Sequence, residues 1–205
     1  MQGTAKNDPP AAAPAALRAR LGTRSIVLVG MPGSGKSSIG RRLAQQLGLE
    51  FVDADQEIEA AADMSIADIF AKHGEPYFRA GEARVIARLL DNSPQVIATG
   101  GGAFVNPDTR ALVRARALSI WLKADVDLLL RRVKRKNDRP LLRVPDPEAV
   151  LKRLLAEREP AYAEADITVT SLDVPHEAVV EALMQALAKK LSEDARTTAS
   201  VAARP

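Results

Sequence analysis

The chain reads Ser25-Ile-Val-Leu-Val-Gly-Met-Pro-Gly-Ser-Gly-Lys-Ser37 a short way from its start. The first part is a continuous apolar run rich in β-branched residues, which predicts a strand buried on both faces of a parallel sheet. The second part, Gly30 to Ser37, fits the pattern G-x-x-x-x-G-K-[ST], placed between a strand and a helix as the mechanism requires. The stretch therefore predicts a phosphate-binding loop on an α/β sheet.

In such a loop, glycines let backbone N–H groups point at phosphate oxygens, and the N-terminus of the following helix adds positive potential. The Lys36 ammonium would neutralise charge on the β- and γ-phosphates, and the Ser37 hydroxyl would bind Mg²⁺. The residues that we predict to bind the phosphates of a nucleotide from this loop are Gly33, Ser34, Gly35, Lys36, Ser37 and Ser38.

Four further short apolar runs alternate with segments of helical periodicity, such as 38–47 and 108–115. This alternation predicts right-handed crossovers and a three-layer α/β/α sandwich of the P-loop NTPase type, with a five-stranded parallel sheet. Ligands bind such a sheet in the crevice at the carboxyl ends of its strands. The four runs are 50–53, 95–99, 117–122 and 167–170.

Composition excludes several classes of protein. The chain has 205 residues, no cysteine and two histidines, so any metal ion is expected to bind oxygen atoms. The net charge of +3 and the 3% aromatic residues are both lower than a nucleic-acid-binding protein usually has, so we expect no nucleic-acid partner. No window approaches eighteen consecutive apolar residues, so we expect no membrane partner and a cytoplasmic protein.

The two ends of the chain differ from its middle. Residues 1–23 contain prolines and alanine runs without apolar periodicity, and we predict a flexible extension that packs little. The Ala-rich, acid-poor composition of 1–24 also suits an organellar transit peptide, although serine is not enriched. Apolar spacing over 175–191 predicts a closing amphipathic helix. The expected domain therefore spans 24–191, followed by a flexible tail at 192–205.

Two carboxylates lie at the end of the second predicted strand. Asp53 and Asp55 are two residues apart, so in extended backbone both face the crevice. One can serve Mg²⁺, and the other can accept a hydrogen bond from a substrate hydroxyl and orient or deprotonate it. The alternative is that an aspartate here only caps a helix starting near Gln56.

Charged and glycine-rich motifs follow further along the chain. Arg79 and Glu82 lie three residues apart on one helix face, where the acid can fix the guanidinium, although a surface ion pair has the same spacing. Gly100, Gly101 and Gly102 follow a buried strand and offer unobstructed N–H donors and close approach, although a plain loop would also read this way.

Residues 131–143 are rich in basic side chains, and Pro140 within this stretch should end the helix. A solvated charge run is the alternative to a functional role. Arg158 lies on the next helix, whose regularity Pro160 should disturb. The basic residues are Arg131, Arg132, Lys134, Arg135, Lys136, Arg139 and Arg143.

Together these motifs resemble the shikimate kinase family, small P-loop enzymes that transfer the γ-phosphoryl group of ATP to the 3-hydroxyl of shikimate on the route to chorismate and aromatic amino acids. The resemblance implies strand order 2-3-1-4-5, a helical substrate-binding segment at about 53–85 and a mobile lid at about 131–146. The motifs are Gly30 to Ser37, Phe51-Val-Asp-Ala-Asp55 with Ile58-Glu59, Ile69-Phe70, Gly74-Glu75, Phe78-Arg79-x-x-Glu82, the triple glycine, Arg139-Pro-Leu-Leu142, and Arg158 with Tyr162.

The resemblance also implies a role for each matching residue. Shikimate would be held by Asp55, Arg79, the three glycines and Arg158, and Mg²⁺ by Ser37 and Asp53. Arg139 would be the lid arginine that reaches ATP, and Arg132 the arginine that stacks on adenine. Lys36, Asp55 and Arg139 would be catalytic. The expected partners are ATP and shikimate, and we expect a monomer.

Three rival functions have distinguishing features. A gluconate kinase should show His-Pro soon after the acidic strand end, whereas Gln56-Glu57-Ile58 follows here. A nucleoside monophosphate kinase needs a second base pocket and usually a loop ending Gly-Lys-Gly-Thr. A regulatory module that binds without turnover is expected to have lost Lys36, Asp53 or Asp55, and all three are present.

Overall fold

A parallel five-stranded sheet forms the centre of the computed structural model, which describes residues 13–92, 94–134 and 146–202. The strands are β1 (Ser25–Val29), β2 (Glu50–Asp53), β3 (Gln95–Ala98), β4 (Ala117–Lys123) and β5 (Ile167–Thr170). Their order is β2-β3-β1-β4-β5, and all neighbours run parallel. The five predicted strands and their order are confirmed.

Helices cover both faces of this sheet and connect its strands, as expected for an α/β/α sandwich. The short helix that opens the described chain has Pro14 in its first turn. The helices are α1 (Pro14–Leu21), α2 (Lys36–Leu47), α3 (Ala54–Ala62), α4 (Ile66–Asp91), α5 (Pro107–Arg116), α6 (Val126–Lys134), α7 (Pro147–Tyr162) and α8 (His176–Ala202).

The sheet separates two hydrophobic clusters because its side chains alternate between faces. In β1, Val27 and Val29 point into a cluster formed with α3 to α7, which we call the site cluster. Ile26 and Leu28 point into a cluster formed with α1, α2 and α8, which we call the terminal cluster. Both faces of β1 are thus buried, which explains its continuous apolar run.

The N-terminal expectation is wrong for Pro14–Leu21. This segment is helical, and Leu17 and Leu21 are only 1% and 2% exposed within the terminal cluster. An ion pair of 3.1 Å between Arg24 and Asp194 ties the end of the segment to α8. Two leucines four residues apart lie on one face of a helix and are enough to pack that face against the domain. They are too few to produce a recognisable helical period of apolar residues in the sequence. Residues 1–12 lie outside the described part of the chain.

The C-terminal helix is longer than the pattern indicates. It continues past Leu191 to Ala202, through residues that we predicted as a tail. Alanine, glutamate and arginine favour helix, so α8 continues after its apolar face ends. The Ser192 hydroxyl donates to the Ala188 carbonyl one turn earlier at 2.7 Å. None of the described helices is both long and apolar enough to span a membrane.

Two predictions concern the region after β4. The lid expected at about 131–146 lies mostly outside the described residues, as does Arg139, and residues 131–134 form the end of α6. The disturbance expected at Pro160 does not interrupt α7, which continues to Tyr162. Pro160 lies in the last turn, where only two helical residues follow it.

Candidate active site

The phosphate-binding loop joins β1 to α2 in the predicted conformation. Gly30, Gly33 and Gly35 have positive φ angles of 136°, 89° and 99°, which favour glycine. The Lys36 ammonium lies under the loop and donates to the carbonyl oxygens of Gly30 at 2.9 Å and Met31 at 3.0 Å. The loop is therefore already folded around its lysine.

Asp53 caps a helix, which is one of the two alternatives that the sequence left open, and it also contacts the phosphate-binding loop. Its carboxylate caps α3 by accepting from the Asp55 amide at 3.2 Å, and it also accepts from the Ser37 hydroxyl at 2.7 Å. The helix begins at Ala54, not near Gln56. Asp53 therefore connects the start of α3 to the phosphate-binding loop.

The oxygen atoms of Ser37 and Asp53 suit Mg²⁺, which takes one or two protein oxygens and completes its shell with water and phosphate. The described residues contain no group of three or more histidines and carboxylates that could hold a metal ion by themselves. The donor set thus fits an ion that arrives with a nucleotide better than a resident metal.

Arg79 lies on α4 after a break in that helix. The break is at Gly74, whose φ of 77° and ψ of 174° are not helical, and it divides α4 into two helical parts joined at a kink. The Arg79 guanidinium donates to Glu82 at 2.7 Å and to Glu75 at 3.1 Å and 3.2 Å. The predicted pair of Arg79 and Glu82 is confirmed, and Glu75 is a second support whose role was not predicted from the sequence.

Glu82 is buried and Arg79 is partly buried, whereas Glu75 is exposed, and the burial changes the pKa values of the first two groups. Burial raises the pKa of Glu82, the nearby Arg79 guanidinium opposes this shift, and Asp55 adds to it. Burial alone would lower the pKa of Arg79, but Glu82 and Glu75 outweigh it and raise that pKa. Arg79 therefore stays cationic, as a site for an anion requires.

The triple glycine makes room for the charged side chains. A Cβ atom on Gly100 would lie 2.8 Å from oxygens of both Asp55 and Glu82, and one on Gly102 would lie 2.6 Å from the Arg79 Cζ atom. A Cβ on Gly101 would lie 2.8 Å from Pro32 and 3.1 Å from an Arg158 nitrogen. The three glycines therefore allow charged side chains to approach the backbone closely, whereas their predicted contact with a substrate stays a prediction.

Arg158 and Tyr162 complete this end of the site from α7. Tyr162 is fully buried, and its hydroxyl donates to the Gly101 carbonyl. Burial raises the pKa of Tyr162 to about 12, although Arg158 and Arg79 oppose the shift. The phenol therefore remains a neutral donor that fixes the glycine loop.

Two adjoining cavities open at the carboxyl ends of the strands. One, of about 450 Å³, is lined by Arg79, Arg158 and Glu82. The other, of about 340 Å³, is lined by Lys36 and Arg132. Both cavities share five lining residues, so a ligand in one would meet a ligand in the other. The shared residues are Ser37, Asp53, Asp55, Gly100 and Gly101.

The loop after β5 closes the second cavity and was not singled out from the sequence. Ser171 donates to the Ser34 carbonyl at 3.0 Å, and Arg132 donates to the Ser171 hydroxyl at 2.9 Å and the Leu172 carbonyl at 2.8 Å. Arg132 is thus held beside the phosphate-binding loop. The signal that could have found Ser171 is its position directly after a strand of a parallel sheet.

The fold and these two joined cavities define a P-loop kinase that acts on a small molecule. A family model described as shikimate kinase matches residues 32–188. The chain belongs to the shikimate kinase family.

Relatives of known name agree with this assignment. A shikimate kinase of Bradyrhizobium diazoefficiens is 63% identical over 167 residues, which cover 82% of this chain and 81% of that protein. One of Rhodopseudomonas palustris is 60% identical, with 82% and 83% covered. The solved structure of a shikimate kinase from Acinetobacter baumannii in complex with shikimate has a TM-score of 0.78 and 38% identity, and the match covers 82% of this chain and 95% of that one.

Proposed function

We propose that this protein transfers the γ-phosphoryl group of ATP to the 3-hydroxyl of shikimate, giving shikimate 3-phosphate and ADP. The observation that carries the proposal is the position of Asp55, which lines both cavities. A hydroxyl bound to this carboxylate from the first cavity would face a phosphoryl group held in the second. Such an arrangement converts a reaction of two separate molecules into one between positioned groups.

The first cavity has the groups that a carboxylated cyclic polyol needs. Arg79 and Arg158 offer guanidinium groups to the substrate carboxylate, and the Asp55 carboxylate can accept from a hydroxyl. Phe70 and Phe78, with ring centroids 4.7 Å apart, add apolar surface to the wall. This combination favours shikimate over an open-chain polyol.

The second cavity has the groups that a nucleoside triphosphate needs. The loop amides and Lys36 would hold the phosphates, and Arg132 would stack on the adenine ring of the nucleotide. Ser37 and Asp53 would hold Mg²⁺, which neutralises charge on the β- and γ-phosphates when it is bound. On binding ATP, the Lys36 ammonium would exchange its loop carbonyls for phosphate oxygens.

Asp55 would act on the attacking hydroxyl. In a loose phosphoryl-transfer transition state the nucleophile loses its proton late, so the first task of Asp55 is to aim the oxygen at phosphorus. Its carboxylate can then take the proton as the bond forms. Arg139 is proposed to reach the phosphates from the lid segment, and it lies outside the described residues.

A coupled assay of ADP release tests the proposal. With Mg²⁺ and ATP we expect rapid release with shikimate and little with gluconate or nucleoside monophosphates, because Asp55, Arg79 and Arg158 together suit a carboxylated cyclic polyol. Arg79→Lys should raise the KM for shikimate with less effect on kcat, since lysine cannot offer a bidentate fork. Equal turnover of gluconate would refute the substrate assignment.

Two further expectations belong to the same proposal. An enzyme that consumes ATP is suited to the cytoplasm, which we propose as its location. We also propose that it works as a monomer. Light scattering of the purified protein tests the second statement.

A further inference from the structure

A groove between α3 and α4 lies beside the active site and takes no part in the proposed reaction. Its volume is about 290 Å³. The floor is apolar, because Ile58, Ile69 and Phe78 line it and are only 4%, 2% and 5% exposed. Two guanidinium groups, from Arg84 and Arg88, lie at its rim. An apolar floor with a few polar groups at the edge is typical of a small-molecule site.

Gly81 keeps this groove open. It lies inside α4 without a positive φ angle, and a Cβ atom there would meet only the Arg84 Nη2 atom, at 3.9 Å. Neither backbone conformation nor packing therefore requires glycine, and alanine is more favourable inside a helix. The missing side chain instead leaves space above the floor.

The charge of the rim favours an anion. Arg88 pairs with Glu57 at 2.9 Å, whereas no carboxylate in the described ranges pairs with Arg84. The two arginines and the one glutamate leave one positive charge at the rim. The half-exposed ring of Tyr77 adds a flat apolar surface beside it.

We propose that this groove binds a small monocarboxylate with a flat apolar body, of the arylalkanoate class. The body would pack over Gly81 against Phe78, and the carboxylate would accept two hydrogen bonds from the Arg84 guanidinium. The volume is at the lower end of that of ligand pockets, which limits the body to about one ring.

Isothermal titration calorimetry with phenylacetate tests the proposal without any measurement of activity. We expect binding to the wild-type protein that persists at saturating shikimate, because Phe78 is the only described residue that lines both the groove and the substrate cavity. Arg84→Gln should weaken it about fivefold, as expected for a charge at an exposed rim. Gly81→Leu should weaken it by about tenfold or more, since the side chain fills the groove.

Matched controls separate the groove from general anion binding. Arg114→Gln removes a guanidinium that is 64% exposed on α5, and it should leave the affinity for phenylacetate unchanged. Phenylacetamide, which has the same shape without the charge, should bind more weakly, and inorganic phosphate should not compete. Circular dichroism checks that each variant is folded.

Several results would overturn the proposal. These are the absence of binding by the wild-type protein up to about 10 mM, displacement of phenylacetate by shikimate, and equal affinity for phenylacetate and phenylacetamide. An unchanged affinity for phenylacetate in folded Arg84→Gln or Gly81→Leu protein would also overturn the proposal.

Discussion

The two faces of the sheet bury similar apolar side chains but differ in their polar ones. In the terminal cluster, leucines of α1, α2 and α8 pack against β1 and β4. On the other face, α4 and α7 bring Glu82 and Tyr162 into buried positions beside the substrate cavity. The buried ionisable groups of the described residues thus adjoin the active site.

The polar groups buried on the site face affect the stability of the fold differently from the apolar groups. Apolar burial stabilises the fold directly, whereas a buried carboxylate such as Glu82 is costly unless it is paired and hydrogen-bonded. One Glu82 oxygen accepts from Arg79, and the other has no hydrogen-bond partner among the described groups. The site face therefore carries a cost of polar burial in addition to its apolar core.

The largest effect is expected on the site face. Asp55→Asn keeps the size of the side chain but removes the negative acceptor, so kcat should fall by about 10²-fold or more. The melting temperature should change little. Kinetics with ATP and shikimate measure the first effect, and Asp63→Asn, at the exposed end of α3, is the matched control with expected unchanged kcat. A kcat within about twofold of wild type would exclude a role for Asp55 in the chemical step.

A substitution in the terminal cluster should do the opposite. Leu17→Ala creates a cavity between α1 and α8 and should lower the free energy of unfolding by about 2 to 5 kcal/mol without changing kcat. Urea denaturation measures this loss. The same substitution at Leu172, which is 52% exposed, should cost less than about 0.5 kcal/mol. Equal stability of the two variants would mean that α1 does not dock.

Tyr162 provides a pH test of polar burial. Its pKa is about 12 in the folded protein against 10.0 unfolded, so the folded state retains a proton that the unfolded state releases between these values. Stability should therefore fall as pH rises above about 10, by about 1.4 kcal/mol per pH unit. Tyr162→Phe should lack this slope in urea denaturation at matched pH values. Parallel profiles for the two proteins would contradict the prediction.

The smallest expected effect is the change in stability when alanine replaces a glycine that has open space around it. Gly81→Ala should raise the free energy of unfolding by about 0.5 to 1 kcal/mol, because Gly81 lies in a helix with open space around it. Gly100→Ala is the contrast, since its Cβ atom would lie 2.8 Å from Asp55 and Glu82 oxygens, and it should lower stability and activity. Thermal denaturation of both variants measures the difference. A destabilised Gly81→Ala variant would show that this glycine is needed for packing.

Much of the site could be predicted because its signals are local. The phosphate-binding loop, Asp53 and Asp55 each follow a strand that its own composition identifies, and Arg79 and Glu82 are neighbours through helix spacing alone. Glu75, four residues before Arg79, has the helical spacing of an ion pair, so this second support was also within reach of the sequence. The position of Ser171 after a strand could have marked it as a site residue, but its hydrogen bond to Ser34 joins residues 137 positions apart and could not be predicted.

The sequence by itself determined the five strands, the phosphate-binding loop and the family, because backbone propensity, side-chain period and glycine conformation act over a few residues. Only the tertiary structure decided that Leu17 and Leu21 are core residues and that the triple glycine accommodates Asp55, Arg79, Glu82 and Arg158. It alone also decided that two cavities meet at Asp55. The reason is that burial and close approach depend on which distant segments pack together. A local sequence pattern does not indicate which distant segment will pack against it.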